Sequence, residues 1–444
     1  MRDRSSVVRM SDRWLYAWAL GSAAFGGASL IVPLYVVSLG GDPFTLGVLA
    51  AAAAFVGVPG ALAFGGLADR TGKRRAFVLV ALTLVAAMLL VVPLTRSIPI
   101  VIAANAAIWF ASAAVLPILT LLAVTDVPDA RWSARIARLN TYQGVGWALG
   151  LLAGTIWTAG TTRLVDPLAA QQGFLVICAG CAAVSVVAAG RSLPPDPGPG
   201  DDPEPRKLRR ASQRAGRFNI RGVTFPFSPV RIDPRGLHPR RLARRFTPSL
   251  TLYFGAIVLV FSGSAAFFAP LPAFLGEIGY GSDGTFVLYL LSSLASAVFF
   301  DRVGAFATTH DARLVQVGGL LARAVALPVV AIAGAALGVT RVGLVGTGLV
   351  FGIIGLTWAV IAVTTGTIVT QLAPASVRGE ALGAYSALMA FAGGVGSIAG
   401  GWLAASSYVL AFAVAGGLVL AGAGVVALLW YHTTTVVEPD RTAI

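Results

Sequence analysis

A chain of 444 residues that is 57% hydrophobic and 12% charged, with a mean hydropathy of +0.81, stands far from the roughly 25% charged residues of soluble domains. That composition excludes an ordinary soluble globule. The net charge of +14 does not point to nucleic acid either, because a phosphate-binding surface needs a solvated domain to carry it and here the cations are spaced between long apolar runs.

Apolar stretches of about 20 residues, enough to cross a bilayer, predict twelve spans: 14–38, 44–67, 75–95, 98–125, 139–160, 171–190, 249–275, 284–303, 313–336, 341–368, 381–404 and 408–431. The expected fold is an all-α membrane protein of two pseudo-symmetric six-helix bundles. Residues 1–190 would form the N-terminal bundle, 191–247 a cytoplasmic basic linker and 248–444 the C-terminal bundle. The run from Trp14 is too long for a cleavable signal and lacks a small-residue cleavage site. With the N-terminus inside, Arg70, Lys73, Arg74, Arg75, Arg131, Arg135, Arg138, thirteen cations from Arg206 to Arg245, Arg302, Arg313 and Arg378 fall on the inner side. Only Arg96, Arg163 and Arg341 fall outside, so the positive-inside pattern predicts two cytoplasmic termini and a multi-pass plasma-membrane protein.

Two apolar runs end in one pattern, Asp69-Arg70-Thr71-Gly72 and Asp301-Arg302-Val303-Gly304, each read as a charged turn. A shift of 232 residues superposes these copies, and a shift of 246 places Pro128 on Pro374, Gly150 on Gly396 and Gly154 on Gly400. Both matches in order argue for a duplicated bundle, as parallel-repeat transporters have. Gly65 and Gly72 permit close helix approach and a tight turn, while Asp69 sets a carboxylate at the membrane edge, suited to a helix N-terminus or an arginine. Such a contact can form in one arrangement of the bundles and break in the other. The plainer alternative is a short turn with solvated, topology-setting charges, and it weighs equally for the second copy, which has no arginine directly after Gly304.

The run Gly65-Gly66-Leu67-Ala68-Asp69-Arg70-Thr71-Gly72-Lys73-Arg74 resembles the cytoplasmic signature G-x-x-x-D-R-x-G-R-R of the major facilitator superfamily, found between its second and third helices. The resemblance implies alternating access, with Asp69, Arg70 and Lys73 or Arg74 latching the cytoplasmic side when the cavity faces outward. Asp301, Arg302 and Gly304 would be the second copy. Gly146, Gly150 and Gly154 on the fifth span recur every four residues, the spacing of close helix packing, and Gly396, Gly400 and Gly401 repeat it on the eleventh. They also resemble the antiporter signature g-x-x-x-G-P-x-x-G-G, with Leu151 in place of the proline and Ala153 in place of a glycine.

Many proton-coupled members carry an arginine on the fourth helix about twelve residues before a proline, and here that count from Pro117 reaches Asn105, with Trp109 where a glycine is usual. Asn105 and Trp109 become candidates for substrate contact, or alternatively an interhelical hydrogen bond and a packing ring. The family's first, fourth, seventh and tenth helices line the path, which adds Tyr35, Phe267, Phe268 and Trp358, with Ser22, Ser112, Thr357 and Thr364 as lesser candidates. Pro33, Pro270 and Pro272 are expected breaks that free carbonyls toward a cavity. An intramembrane charge is costly, and Arg323 alone sits near the middle of a span. The resemblance places the ninth helix at the periphery, so snorkelling or a structural pair is expected for Arg323. With Asp126 and Glu277 at span ends, it completes the coupling candidates.

His238, His310 and His432 fall in loops or at a span end, and neither an H-E-x-x-H pattern nor a phosphate loop occurs. Cys178 and Cys181 lie within the sixth span without the cations that activate thiolates. No enzyme, metal or cofactor is therefore expected. The segment 191–247 is poor in apolar residues and rich in proline and arginine, which predicts a linker resting on anionic lipid headgroups. A monomer is expected that moves a small molecule. The favoured function is proton-coupled efflux of an amphiphilic compound; the alternatives are uptake or facilitated diffusion of a neutral solute such as a sugar, or a non-transporting membrane scaffold or sensor.

Overall fold

The computed structural model describes residues 12–71, 73–124, 132–161, 164–194, 246–374 and 377–435. Their regular structure is helical throughout: α1 (Arg13–Ser38), α2 (Pro43–Thr71), α3 (Arg74–Leu94), α4 (Ile98–Val124), α5 (Trp132–Thr161), α6 (Pro167–Ser192), α7 (Pro248–Phe268), α8 (Leu271–Glu277), α9 (Ser282–Thr309), α10 (Ala312–Leu337), α11 (Arg341–Leu372), α12 (Arg378–Ala404) and α13 (Tyr408–Thr435). Counting α7 with α8, ten are long and apolar enough to cross a membrane. The remaining two, α2 and α5, run 29 and 30 residues beside them, which is a multi-pass membrane architecture.

Helix starts follow from side chains that satisfy orphan N–H groups, often ahead of a proline in the first turn. Asp42 accepts from Thr45 N (2.8 Å) before Pro43, Asp166 from Leu168 N (3.1 Å) before Pro167, and Thr247 from Leu250 N (3.2 Å) before Pro248. Gly40 and Gly279 turn the chain with φ of 88° and 94°, a backbone that favours glycine.

Two expectations need correction here. Pro33 does not break α1, which runs on through it, whereas Pro270 and Pro272, two missing donors within one turn, divide the span at 249–275 into α7 and α8 as expected. The second charged motif is no turn: Asp301, Arg302 and Gly304 lie inside α9, which continues through helix-compatible residues to Thr309. The chain turns instead at His310 and Asp311, where Asp311 accepts from Arg313 N (2.8 Å) and starts α10. In the first copy, Asp69 and Arg70 likewise belong to the last turns of α2, and Gly72 lies outside the described residues.

The helices pair in two matching sets. In the first, α1 packs on α5 and α6, α2 on α4, and α3 on α4 and α6. In the second, α7 packs on α12 and α13, α9 on α11, and α10 on α11 and α13. With α7 standing for α1, and α9 to α13 for α2 to α6, these are the same five pairings twice. The sets meet along α2 with α12 and α5 with α9, themselves related by the same correspondence.

Close approach at glycine builds both levels. A Cβ on Gly146 or Gly150 would overlap the carbonyl of Ala19 or Ala23 on α1, and one on Gly396 or Gly400 that of Ser262 or Ala266 on α7. Between the bundles, a Cβ on Gly401 would lie 2.5 Å from Pro43 O and 3.0 Å from the Gly47 Cα. On Gly154 it would overlap the Phe286 ring. Gln171 Nε2 also donates to Ser282 Oγ across the seam (3.2 Å). These contacts lie in the half away from the arginine-rich helix ends, a half called here the outer half. Toward the basic ends each bundle is tied to itself: Asp12 pairs with Arg135 (2.7 Å) and Arg138, while Tyr253 donates to Gln316, which donates to Thr365 (2.9 and 2.8 Å).

Two predictions follow from this packing. Gly150→Val lowers thermal stability in detergent by about 1–3 kcal/mol, the usual cost of overpacking, while Gly144→Ala, with nothing within 4 Å of the added methyl, is neutral or stabilising by up to about 1 kcal/mol; equal melting temperatures would remove the close-approach account. The Thr45 side-chain and backbone hydrogen bonds hold the Asp42 carboxyl below its ordinary value. A depressed value contributes stability above the unfolded pKa of about 3.9 and loses it as pH falls through the folded one, so Asp42→Ala should cost about 1 kcal/mol at neutral pH and nothing in strong acid.

Candidate functional site: a cavity between the bundles

Where the outer seam ends, the bundles separate around an empty space of about 530 Å³, part of it open to solvent. Its first-bundle wall is Ser29, Leu30 and Pro33 of α1, Leu46, Leu49, Ala50 and Ala53 of α2, and Asn105 and Trp109 of α4. The second bundle contributes Phe268, Ala269 and Pro272 at the α7–α8 break and Tyr289 of α9. Aliphatic and aromatic side chains dominate, Ser29, Asn105 and Tyr289 supply neutral polar groups, and among the described residues the lining contains no carboxylate, histidine, lysine or arginine.

Proline gives this wall a further polar feature. Pro33 has no N–H for the Ser29 carbonyl, and Pro272 has none for the Phe268 carbonyl. All four residues line the cavity, and the two pairs lie 239 residues apart, as do Gly40 and Gly279. The duplication thus extends to α1 and α7, where each bundle sets a proline four residues after a cavity-lining residue.

Of the residues singled out in the sequence, Asn105, Trp109 and Phe268 stand on the cavity wall, and the Trp109 ring packs against Trp147 of α5 at 6.3 Å. Tyr35, Phe267 and Trp358 do not. The Tyr35 hydroxyl donates to the Thr95 carbonyl (2.9 Å) and accepts from Gln172 Nε2 (3.2 Å), inside the first bundle. Phe267 faces its own bundle, against Phe412 at 4.6 Å, because neighbours on one helix point about 100° apart. Trp358 packs on Phe261 at 6.0 Å. Ser22 donates to the Trp18 carbonyl (2.8 Å) and Thr364 to that of Val360 (2.7 Å), each a bond within its own helix. The α2 residues and Tyr289 were missed because α2 and the eighth span were not counted among lining helices; the proline pairing was the signal available for Ser29 and Pro272.

Arg323 corrects another expectation. It does not snorkel: its side chain is fully buried inside the second bundle, donating from Nε to Ser264 Oγ and from Nη1 to the Ile354 carbonyl and Thr357 Oγ1, all at 3.2 Å. Its guanidinium carbon lies 5.6 Å from the ring centroids of both Phe268 and Trp358. Glu277 sits exposed at the outer face, accepting from the Tyr408 hydroxyl, away from the cavity, and Asp126 lies outside the described residues.

At the proposed latch only the backbone of Gly65, Asp69 and Arg70 is described, at the end of α2. Lys73 is exposed while Arg74 is buried at the start of α3. Asp301 and Arg302 are exposed on α9, where Arg302 Nη1 donates to the Val298 carbonyl (3.1 Å), and a methyl on Gly304 would meet open space.

Comparison with known proteins agrees with this architecture. No curated protein matches the chain in sequence. Among solved structures, a variant of the nucleoside transporter NupG superposes with a TM-score of 0.70 at 13% identity, covering 96% of this chain and 99% of its own. A variant of the peptide transporter POT in complex with sulfate gives 0.69 at 14% identity, with 95% and 94% covered. The human organic anion transporter MFSD10 (TETRAN) gives 0.54 at 17%, with 94% and 99% covered. At these identities the likeness is one of fold. The profile of the Major Facilitator Superfamily matches residues 14–365, and with twelve helices in two repeated bundles around a shared cavity, the chain belongs to that family of transporters.

Proposed function

We propose that the protein carries an amphiphilic small molecule across the plasma membrane by alternating access, exporting it in exchange for protons. The observation that supports this reading is the cavity itself: an apolar and aromatic lining with a few neutral hydrogen-bonding groups, formed jointly by both bundles. A site shared between two bodies opens to one side or the other as they rock, and a substrate biases the equilibrium only through its different affinity for the two states. Residues 1–190 and 248–444 serve as the moving bodies. The segment 191–247 tethers them on the cytoplasmic side, its arginines resting on anionic lipid.

The described glycine contacts between the bundles lie in the outer half, and on this reading the basic side is the entrance. On the same reading the latch of Asp69, Arg70, Lys73 and Arg74 forms when the cavity opens outward. Proton exchange then runs through carboxylates at the membrane faces, Asp69 and Asp126 foremost. Facilitated diffusion is the second reading, favoured by the lack of any carboxylate or histidine in the cavity lining.

Everted membrane vesicles holding an imposed pH gradient test both, with a panel of lipophilic cations, aromatic drugs and sugars. An aromatic compound should dissipate the gradient in the native chain and not in Asp69→Asn. Trp109→Ala or Asn105→Ala should raise the half-saturating concentration about tenfold, equivalent to 1.4 kcal/mol of binding. Substrate flux that ignores the gradient would establish facilitated diffusion instead.

A further inference from the structure

Arg323 is a cation held deep in the second bundle, and its place behind the cavity wall raises the question of what balances it. Its position eleven residues into α10 puts it roughly 16 Å along the helix from its start at 1.5 Å per residue. Its three hydrogen-bond partners, Ser264, Ile354 and Thr357, are neutral. Its remaining Nη2 is buried and makes no hydrogen bond among the described residues.

Among the described residues no carboxylate pairs with it. The sequence has none between Asp311 and Glu380. Of the others between 248 and 444, Glu277, Asp283 and Asp311 stand at helix ends, Glu380 belongs to the first turn of α12, Asp301 is exposed on α9, and Glu438 and Asp440 lie outside the described residues. A buried charge whose partners are all neutral is costly, and a glutamine could serve the same carbonyl and hydroxyls without the charge.

The cavity lies one ring away. Phe268 lines it and also covers the Arg323 guanidinium at 5.6 Å, with Trp358 at the same distance. In a poorly solvated wall the field of a cation passes such a partition with little screening, and the α7–α8 break beside Phe268 lets that side chain turn without unwinding a continuous helix.

We propose, resting on the transport reading above, that Arg323 makes the cavity selective for singly anionic amphiphiles such as aryl carboxylates. The anion settles on the α7 side of the cavity, with Phe268 as the partition between it and the guanidinium. Cationic amphiphiles of the same shape are disfavoured.

The test uses the full chain in proteoliposomes and three matched probes: naphthalene-2-carboxylate, naphthalene-2-carboxamide and (2-naphthylmethyl)trimethylammonium. The native chain should move the carboxylate about tenfold or more in preference to the amide. Arg323→Gln should bring that ratio to within about twofold of unity, while Arg323→Lys retains most of it, since lysine keeps the charge. If the glutamine variant does not reach the membrane, Phe268→Leu decides, because removing the ring should raise the ratio. Transport of the amide or the ammonium ion at a rate within about twofold of the carboxylate's, a ratio unmoved by Arg323→Gln, or one unchanged or lowered by Phe268→Leu overturns the inference while transport stands. Movement of none of the three probes overturns the transport reading and the inference with it.

Discussion

Two bundles of apolar helices have no reason to adhere in a bilayer through hydrophobicity alone, since lipid tails are as apolar as the side chains they would replace; close packing at small residues has to join them. The crossing of α2 and α12 is where this occurs, with Gly401 set against Pro43, Phe44 and Gly47. Its symmetry mate brings Gly154 against Phe286. Both contacts lie in the outer half, so the bundles are held together there and part around the cavity below.

Within each bundle the same device works alongside a different purpose. Gly146 and Gly150 against α1, and Gly396 and Gly400 against α7, bring helix backbones together inside one body. Polar ties reinforce them toward the basic ends, where Asp12 bridges α1 to α5 through Arg135 and Arg138 and Gln316 links α7, α10 and α11. A buried hydrogen-bonded set in a poorly solvated interior is expensive to break. The bundles are thus stiffened internally and joined mainly through small residues and ring contacts, which is the mechanical requirement of alternating access.

Charge is distributed as the membrane demands, with one exception. Acidic residues keep to helix ends and faces, apart from the exposed Asp301 within α9, and the basic residues crowd one face. Arg323 breaks that rule. Its surroundings show why it is tolerated: three neutral acceptors and two aromatic rings solvate the guanidinium. Among the described residues no carboxylate neutralises its charge, which lies beside a cavity wall the two bundles share.

Apolar run length by itself located the membrane-spanning segments, because a bilayer has one thickness and lets backbone cross it only with its hydrogen bonds satisfied internally. The recurrence of Asp69-Arg70-Thr71-Gly72 and of the glycine ladders likewise announced the duplication. What run length cannot encode is azimuth, and hydrophobic periodicity is silent when a helix is apolar on every side. Phe267 and Phe268 are chemically identical neighbours, yet one faces the bundle core and the other the cavity; Tyr35 proved to be an internal tie and Arg323 an interior residue. Helix continuation was also local in cause but invisible to the motif: Asp301 and Gly304 match a turn signature, and the residues after them simply keep the helix going. Only the packing of α10 against α11 and α13, and of α2 and α9 around the cavity, decided which side chains meet, since that depends on helices hundreds of residues apart approaching through glycines whose partners no single stretch of sequence names.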